Sequence, residues 1–179
     1  MAKTVWISGA SRGIGKSAAV HFARAGYKIA AGYHENDAAM QSLMQQLAEI
    51  GAMAVPVKGD IADPAAVQSM AEYICSTLGG IDVLIANAGV AHYSMLEDMA
   101  YNEWRRVIDT DLTGVYNMIH ASLPSMRNRG GGSIINIAST AAFQACPYLG
   151  VYAATKAFVK SFSLSLSFEL RAKKCKCLC

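Results

Sequence analysis

The run Thr4-Val5-Trp6-Ile7-Ser8-Gly9-Ala10-Ser11-Arg12-Gly13-Ile14-Gly15 decides how this chain is read. Thr4–Ser8 is a short apolar segment of the kind that forms a fully buried strand. Glycines then recur in the pattern G-x-x-x-G-x-G, and Lys16–Ala25 carries apolar residues at helical spacing until Gly26 stops it. Strand, glycine turn and helix N-terminus together make a phosphate site. Glycines let backbone N–H groups approach a pyrophosphate, and the helix dipole favours its negative charge. A glycine pattern alone is weak evidence, because turns are rich in glycine; its place directly after the first strand gives it weight.

The same alternation continues outward from this run. Lys28–Tyr33 reads as a second strand and Asp37–Ile50 as an amphipathic helix ended by Gly51. Ala52–Lys58 is a third strand, in which Pro56 predicts a sheet edge or a strand boundary. Asp63 as N-cap and Pro64 at the first helical position open a helix to about Leu78, broken by Gly79-Gly80. Ile81–Ala86 is a fourth strand that ends at Asn87-Ala88-Gly89. Asn102–Arg129 reads as helix, in two pieces around Asp111 and bent at Pro124, before Gly130-Gly131-Gly132. Ile134–Ser139 is a fifth strand, Gly150–Arg171 the last helix, and a further strand begins near Cys175. Alternating strands and helices predict the α/β class: a parallel, doubly wound sheet of Rossmann type with both faces covered, in one domain over residues 1–179.

Composition narrows the function classes. Over 179 residues, 53% hydrophobic and 16% charged content argues for a sizeable core and against disorder. The net charge is +3, part of it in a cluster of Arg171, Lys173, Lys174 and Lys176, with no basic face carrying interleaved aromatics; nucleic acid is not an expected partner. No apolar run approaches the roughly 18 residues of a spanning helix, so no membrane partner is expected. Met1-Ala2-Lys3 leads straight into the first strand and leaves no room for a signal peptide, which makes a soluble cytoplasmic protein the expectation. Five cysteines do not suggest a disulfide framework. On a strand, Cys175, Cys177 and Cys179 would share one face about 6.7 Å apart, too far to share one zinc. His21, His34, His92 and His120 show no metal spacing, so no metal site is expected.

In doubly wound sheets the ligand lies outside the carboxyl ends of the strands. Gly9–Gly15, Asp60, Asn87-Ala88-Gly89 and Ser139 all fall at such ends. A second constellation stands in Val151-Tyr152-Ala153-Ala154-Thr155-Lys156, with Ser139 upstream. Residues four apart lie on one helix face, so Tyr152 and Lys156 can present their polar ends to one pocket. A phenol is a weak acid at neutral pH, and an ammonium roughly 4–6 Å away favours its phenolate, which suits general acid–base work.

On these residues the sequence resembles the short-chain dehydrogenase/reductase family: Gly9-Ala10-Ser11-Arg12-Gly13-Ile14-Gly15, Asn87-Ala88-Gly89, Ser139, and Tyr152 with Lys156. The resemblance implies hydride transfer between a nicotinamide cofactor and a carbonyl or alcohol. By position, Tyr152 would be the general acid in reduction and the base in oxidation, Ser139 would hydrogen-bond the substrate oxygen, and Lys156 would hold the nicotinamide ribose. It likewise implies cofactor contact from Gly9, Ser11, Arg12, Gly13, Ile14 and Gly15 of the glycine loop. Tyr33, Asp60 and Ile61 are further cofactor positions, that of Asp60 lying against adenine in the family, and Asn87, Ala88 and Gly89 complete the set. The plainer alternatives are a strand-end cap for Ser139 and a simple turn for Asn87-Ala88-Gly89.

NAD sites usually carry an acidic residue near the end of the second strand. Here that place is Gly32-Tyr33-His34, with Glu35 a little later, while Arg12 can pair with a 2′-phosphate; NADP(H) is therefore favoured over NAD(H), the alternative being a solvated surface arginine. The closest general likeness is to the 3-oxoacyl-(acyl-carrier-protein) reductases, which makes a 3-oxoacyl thioester a candidate substrate beside small carbonyl compounds. Ala157-Phe158 follows the lysine where those reductases usually have Ala-Gly.

Two departures from the family stand out. Asp111, in Asp109-Thr110-Asp111-Leu112-Thr113-Gly114, occupies the place of an asparagine that is a fourth member of the catalytic set. Aspartate brings a negative charge beside Lys156 and no amide donor. Family members also continue after the Tyr152–Lys156 helix with two further strands, a Pro-Gly turn and a segment that closes over substrate. This sequence stops at Cys179, so a sheet lacking the usual last strands, an exposed edge on the fifth strand and a truncated chain are expected. These departures motivate an alternative reading as a catalytically silent dinucleotide-binding or interaction protein, and a third as a remnant that folds only with a partner. The resemblance further implies a homodimer or homotetramer through the helices that carry Tyr116 and Tyr152.

Overall fold

The computed structural model describes residues 2–179, the side chain of Lys173 excepted. Its strands are β1 (Thr4–Ile7), β2 (Lys28–Tyr33), β3 (Ala54–Lys58), β4 (Val83–Ala86), β5 (Gly132–Asn136) and β6 (Cys175–Leu178). Its longer helices are α1 (Gly13–Arg24), α2 (Asp37–Glu49), α3 (Pro64–Leu78), α4 (Tyr101–Ile108), α5 (Gly114–Asn128) and α6 (Gly150–Glu169). The strands form one parallel sheet in the order β3-β2-β1-β4-β5-β6. The direction of winding reverses between β1 and β4, the point at which such sheets open a crevice.

Strand side chains alternate between the two faces, so each buried strand feeds two cores. Val5, Ile7, Ile29, Ala31, Val83 and Ile85 pack with α1 and α2, through Ala19, Val20, Met40, Leu43 and Leu47. Trp6, Ala30, Leu84 and Ile134 point the other way, into a layer built from α3, α5 and α6 through Ile74, Leu78, Met118, Met126, Val159 and Leu166. This two-sided burial explains the near-continuous apolar runs of the strands.

Several element boundaries move. The first helix begins at Gly13 rather than Lys16, so the last glycines of the loop belong to its opening turn. β5 ends at Asn136 instead of Ser139, and Ser139 caps a single turn over Thr140–Ala142. The expected helix Asn102–Arg129 is interrupted at Asp109–Thr113 by one π-helical turn, closed by the Gly114 N–H donating to the Asp109 carbonyl, while α5 runs through Pro124. β3 is an edge strand, as Pro56 required.

The expected exposed edge of β5 is corrected by the sheet order. β6 pairs with β5 over Gly132–Ile135, and β6 itself forms the edge. Its side chains alternate, Cys175 and Cys177 buried, Lys176 and Leu178 exposed. Cys179 lies past the strand and is exposed, so the three cysteines do not share one environment. Among the described residues no cluster of histidine, cysteine and acidic side chains could hold a metal, and no helix is long and apolar enough to cross a membrane.

Burial pushes the Cys177 thiol up to about 11. At about pH 8 it therefore stays protonated, and only thiolates alkylate readily. Iodoacetamide at that pH is expected to modify Cys179 in the native chain, with Cys175 and Cys177 modified only after unfolding in urea, as read by peptide mass spectrometry. Equal labelling rates for Cys177 and Cys179 would show that β6 is not docked.

Candidate active site

The site is built at the carboxyl edge of the sheet, where β1 and β4 part. Ala10 N–H donates to the Gly32 carbonyl at 2.8 Å, which fixes the glycine loop against β2. On the other side the buried Ser8 hydroxyl oxygen accepts from the backbone N–H groups of Asn87 and Ala88, both at 3.0 Å. The Asn87 side-chain amide donates back to the Ser8 carbonyl at 2.9 Å and to that of Gly9 at 3.3 Å. Gly9 and Gly13 adopt φ of +63° and +56°, a region open to glycine at no steric cost. A Cβ on Gly15 would collide with the Gly9 carbonyl and stand 2.7 Å from the Asn87 amide nitrogen. The loop, the start of α1 and Asn87 are therefore packed backbone to backbone.

Above them opens a cleft of about 490 Å³. Gly9, Ser11, Arg12 and Ile14 line it from the glycine loop, Tyr33 from β2, Asp60 and Ile61 from the loop after β3, and Asn87, Ala88 and Gly89 from the loop after β4. Gly13 and Gly15 do not line it; they shape the loop from behind. Asp60 is fixed in place by accepting from the Ala62 N–H at 2.9 Å. Asn117 on α5 donates to the Ile61 carbonyl at 3.0 Å, tying that loop to the helix layer. Gly114 allows the approach, since a Cβ there would stand 2.6 Å from the Ile61 side chain.

Gly32, His34 and Glu35, the neighbourhood weighed for cofactor choice, line the cleft as well, and so do Ser8, Asn36, Gly59, Val90 and Thr110, which the sequence reading did not name as site residues. A hydroxyl at the strand end just before a glycine loop was the one available signal for Ser8; Val90 and Thr110 gave none. Just past the end of β2, Asp37 is engaged within the protein. It accepts from Lys58 at 2.8 and 2.9 Å and from the Tyr33 hydroxyl at 2.8 Å. The lysine and tyrosine bonds hold its carboxyl below the usual carboxylate range, and the carboxylate in turn raises the Tyr33 phenol.

Ser139, Tyr152, Lys156 and Asp111 do not line this cleft. They lie where α6 packs against the turn that follows Ser139 and against the π-helical turn. Tyr152 and Lys156 share one face of α6, with the Lys156 Nζ 5.6 Å from the centre of the tyrosine ring. Lys156 is 3% exposed, donates to the Ile137 carbonyl at 3.1 Å and lies 3.4 Å from Asp111 Oδ2. Asp111 is fully buried, and its Oδ1 accepts from the Val90 N–H at 2.7 Å. Burial raises the Asp111 carboxyl, opposed by the Val90 hydrogen bond and the Lys156 charge. Ser139 is half-buried, and its hydroxyl oxygen accepts from the Ala141 N–H at 3.2 Å, which leaves its own proton to donate. Gly89 joins the two regions: it lines the cleft, and a Cβ on it would stand 3.0 Å from Asp111 Oδ2 and 3.2 Å from Lys156 Nζ.

Residues 3–179 match the family model for short chain dehydrogenase. The chain belongs to the short-chain dehydrogenase/reductase family. It is 34% identical over 173 residues to the 3-oxoacyl-(acyl-carrier-protein) reductase FabG of Staphylococcus aureus, spanning 97% of this chain and 70% of that protein. It is 35% identical over 176 residues to an L-rhamnose 1-dehydrogenase (NAD(P)(+)) of Sphingomonas sp., covering 98% and 69% of the two chains. Among solved structures, carveol dehydrogenase of Mycobacterium avium in complex with NAD superposes with a TM-score of 0.93 at 29% identity, over 98% of this chain and 68% of that one. As members of an oxidoreductase family that acts on CH–OH and C=O groups and binds a nicotinamide dinucleotide, such chains need a phosphate cradle and an acid–base group. The glycine cradle fits the first need, because its backbone approach is one that any Cβ at Gly15 would close.

Replacing Gly15 with alanine is expected to force the loop apart by about 1–3 kcal/mol of overpacking strain and to weaken dinucleotide binding roughly tenfold. Titration of NADH fluorescence against the purified variant measures it. Unchanged affinity would show that the loop does not carry the phosphates.

Proposed function

We propose that this chain is an NADP(H)-dependent carbonyl reductase in which Tyr152, Lys156 and Ser139 carry the acid–base chemistry. The observation that supports the reading best is the placement of the Lys156 ammonium 5.6 Å from the Tyr152 ring centre, on one face of α6, with Lys156 directly behind Gly89 of the cleft wall. A bound reduced nicotinamide supplies the hydride that reaches the carbonyl carbon. Tyr152 gives its phenolic proton to the carbonyl oxygen as the alcohol forms, and accepts it back in oxidation. Ser139 donates a hydrogen bond to the same oxygen and stabilises the charge that develops there. Lys156 would hold the ribose hydroxyls from the same face of α6 that carries Tyr152. Tyr152 then takes up a proton from solvent, which replaces the one now on the alcohol and restores the acid for the next turnover.

Cofactor choice follows from the adenosine side. Arg12 is exposed on the cleft wall and forms no ion pair among the described residues. Asp37, the acid closest in sequence to the end of β2 apart from Glu35, is taken up by Lys58 and Tyr33. A 2′-phosphate thus meets a guanidinium suited to it, while one nearby carboxylate is already neutralised. The acyl-carrier-protein reductase among the relatives makes a 3-oxoacyl thioester the first substrate to try, with small ketones beside it; the catalytically silent alternative draws no support from these relatives. Exposed apolar side chains on α5 and α6, Tyr116, Leu164 and Phe168, favour self-association through these helices.

The test is NADPH consumption with a panel of 3-oxoacyl thioesters and ketones. Tyr152→Phe is expected to lower kcat by about 10²–10⁴ with cofactor affinity retained; undiminished turnover would remove Tyr152 from the chemistry. A separate binding comparison bears on the cofactor. Arg12→Ala is expected to weaken NADPH about tenfold or more, the scale of a charged hydrogen bond, and to leave NADH unchanged. Equal losses for both cofactors would assign Arg12 to the pyrophosphate or the surface.

A further inference from the structure

The buried contact between Asp111 and Lys156 has no role in the reaction as written above, although it joins the only two charged side chains buried at this end of the sheet among the described residues. Its geometry is unusual. One carboxylate oxygen is satisfied by the Val90 N–H at 2.7 Å, while Oδ2 has no hydrogen-bond partner and faces the ammonium at 3.4 Å. The ammonium gives one of its three protons to the Ile137 carbonyl, and what it offers the cleft depends on how strongly Oδ2 draws the rest. The pair lies directly behind Gly89 of the cleft wall, with Val90 and Thr110 of the same wall beside it. The carboxylate sits on a π-helical turn, a local widening of the helix that re-aims a side chain.

We propose that Asp111 is a positioning residue that acts through Lys156. As a carboxylate it draws the ammonium back and cancels its charge; on taking up a proton it releases that charge to the ribose and to Tyr152. The inference rests on the cofactor reading above.

The other charged groups around the turn leave Lys156 as the partner that matters. From α4 comes Arg106, itself bound to Glu103 at 2.8 Å, and from the loop after β4 comes His92, bound to the same Glu103 at 3.2 Å. On the turn itself Asp109 is paired with Arg105 at 2.9 Å. From α5, Tyr116 and His120 are turned to solvent; from α6, Tyr152 accompanies Lys156. Burial without a second hydrogen bond is the condition under which a carboxyl takes up a proton most readily, and Asp111 is raised in that sense. A carboxyl raised by folding is ionised at high pH and neutral at low pH, so Lys156 is restrained on the alkaline side and released on the acid side.

The experiment compares NADH binding to the wild-type chain and to Asp111→Asn from about pH 5 to about pH 8; NADH lacks the 2′-phosphate, whose own ionisation near pH 6 would intrude. The variant is expected to bind about fivefold or more tightly at the alkaline end, a typical size for coupling between two sites, with the two curves converging at the acid end. In a Lys156→Gln background the same substitution is expected to change nothing. A ratio that stays constant with pH, or survives loss of Lys156, overturns the proposal. A second measurement needs neither cofactor nor the asparagine variant. In ¹³C-carboxyl titrations of aspartate-labelled wild-type chain, one resonance is expected to titrate above the others and to move further up in Lys156→Gln. No such resonance, or one indifferent to Lys156, also overturns it. Failure of NADH to bind the wild type at all would instead sink the cofactor reading, with the carboxyl titration still deciding the link.

Discussion

The site depends on one join, between the Ser8 hydroxyl and the backbone of Asn87 and Ala88, returned by the Asn87 side-chain amide to Ser8 and Gly9. β1 and β4 are neighbours in the sheet, yet the connections that follow them depart to opposite faces. Where they part, backbone groups lose their ladder partners, and a buried unpaired polar group costs about 1–3 kcal/mol. Ser8 and Asn87 satisfy these groups from side chains, which keeps the crevice open without orphaned donors. The glycine loop can then lie directly on Asn87.

The second constraint is electrostatic. Lys156 is buried at the end of an apolar layer, where an isolated ammonium is costly. Ile137 and Asp111 compensate it from two different elements, a strand end and a π-helical turn. Asp111 is in turn compensated only in part, through the Val90 N–H and a loose contact to Lys156. Breaking a buried pair by removing one partner leaves the other uncompensated, so the two residues are best understood as one unit that touches the cleft through Gly89.

The order of strands and helices was legible from periodicity and from Gly and Pro punctuation, because both are local properties of the chain. The Tyr152–Lys156 spacing was legible for the same reason: a helix turn brings residues four apart together wherever the helix lies. The errors fell at element ends. α1 starts inside the glycine loop because Gly13 can enter the helix from a positive φ. β5 stops short of Ser139 because that residue caps the following turn, a side-chain choice that apolar patterning does not record. The edge of β5 was misjudged because the pairing of β6 is a long-range event set by the alternation of Cys175 and Cys177 into the core.

The sequence by itself determined the doubly wound class, the glycine loop after β1 and the shared α6 face of Tyr152 and Lys156, since each is encoded within a few consecutive residues whose backbone geometry is nearly independent of the rest. Only the tertiary structure decided that Ser8 braces Asn87, that Asp37 is occupied by Lys58 and Tyr33, and that Asp111 meets Lys156 behind Gly89. Those contacts join segments far apart in the chain. Their strength comes from burial, which changes what a charge or a hydroxyl is worth and is a property of the folded whole.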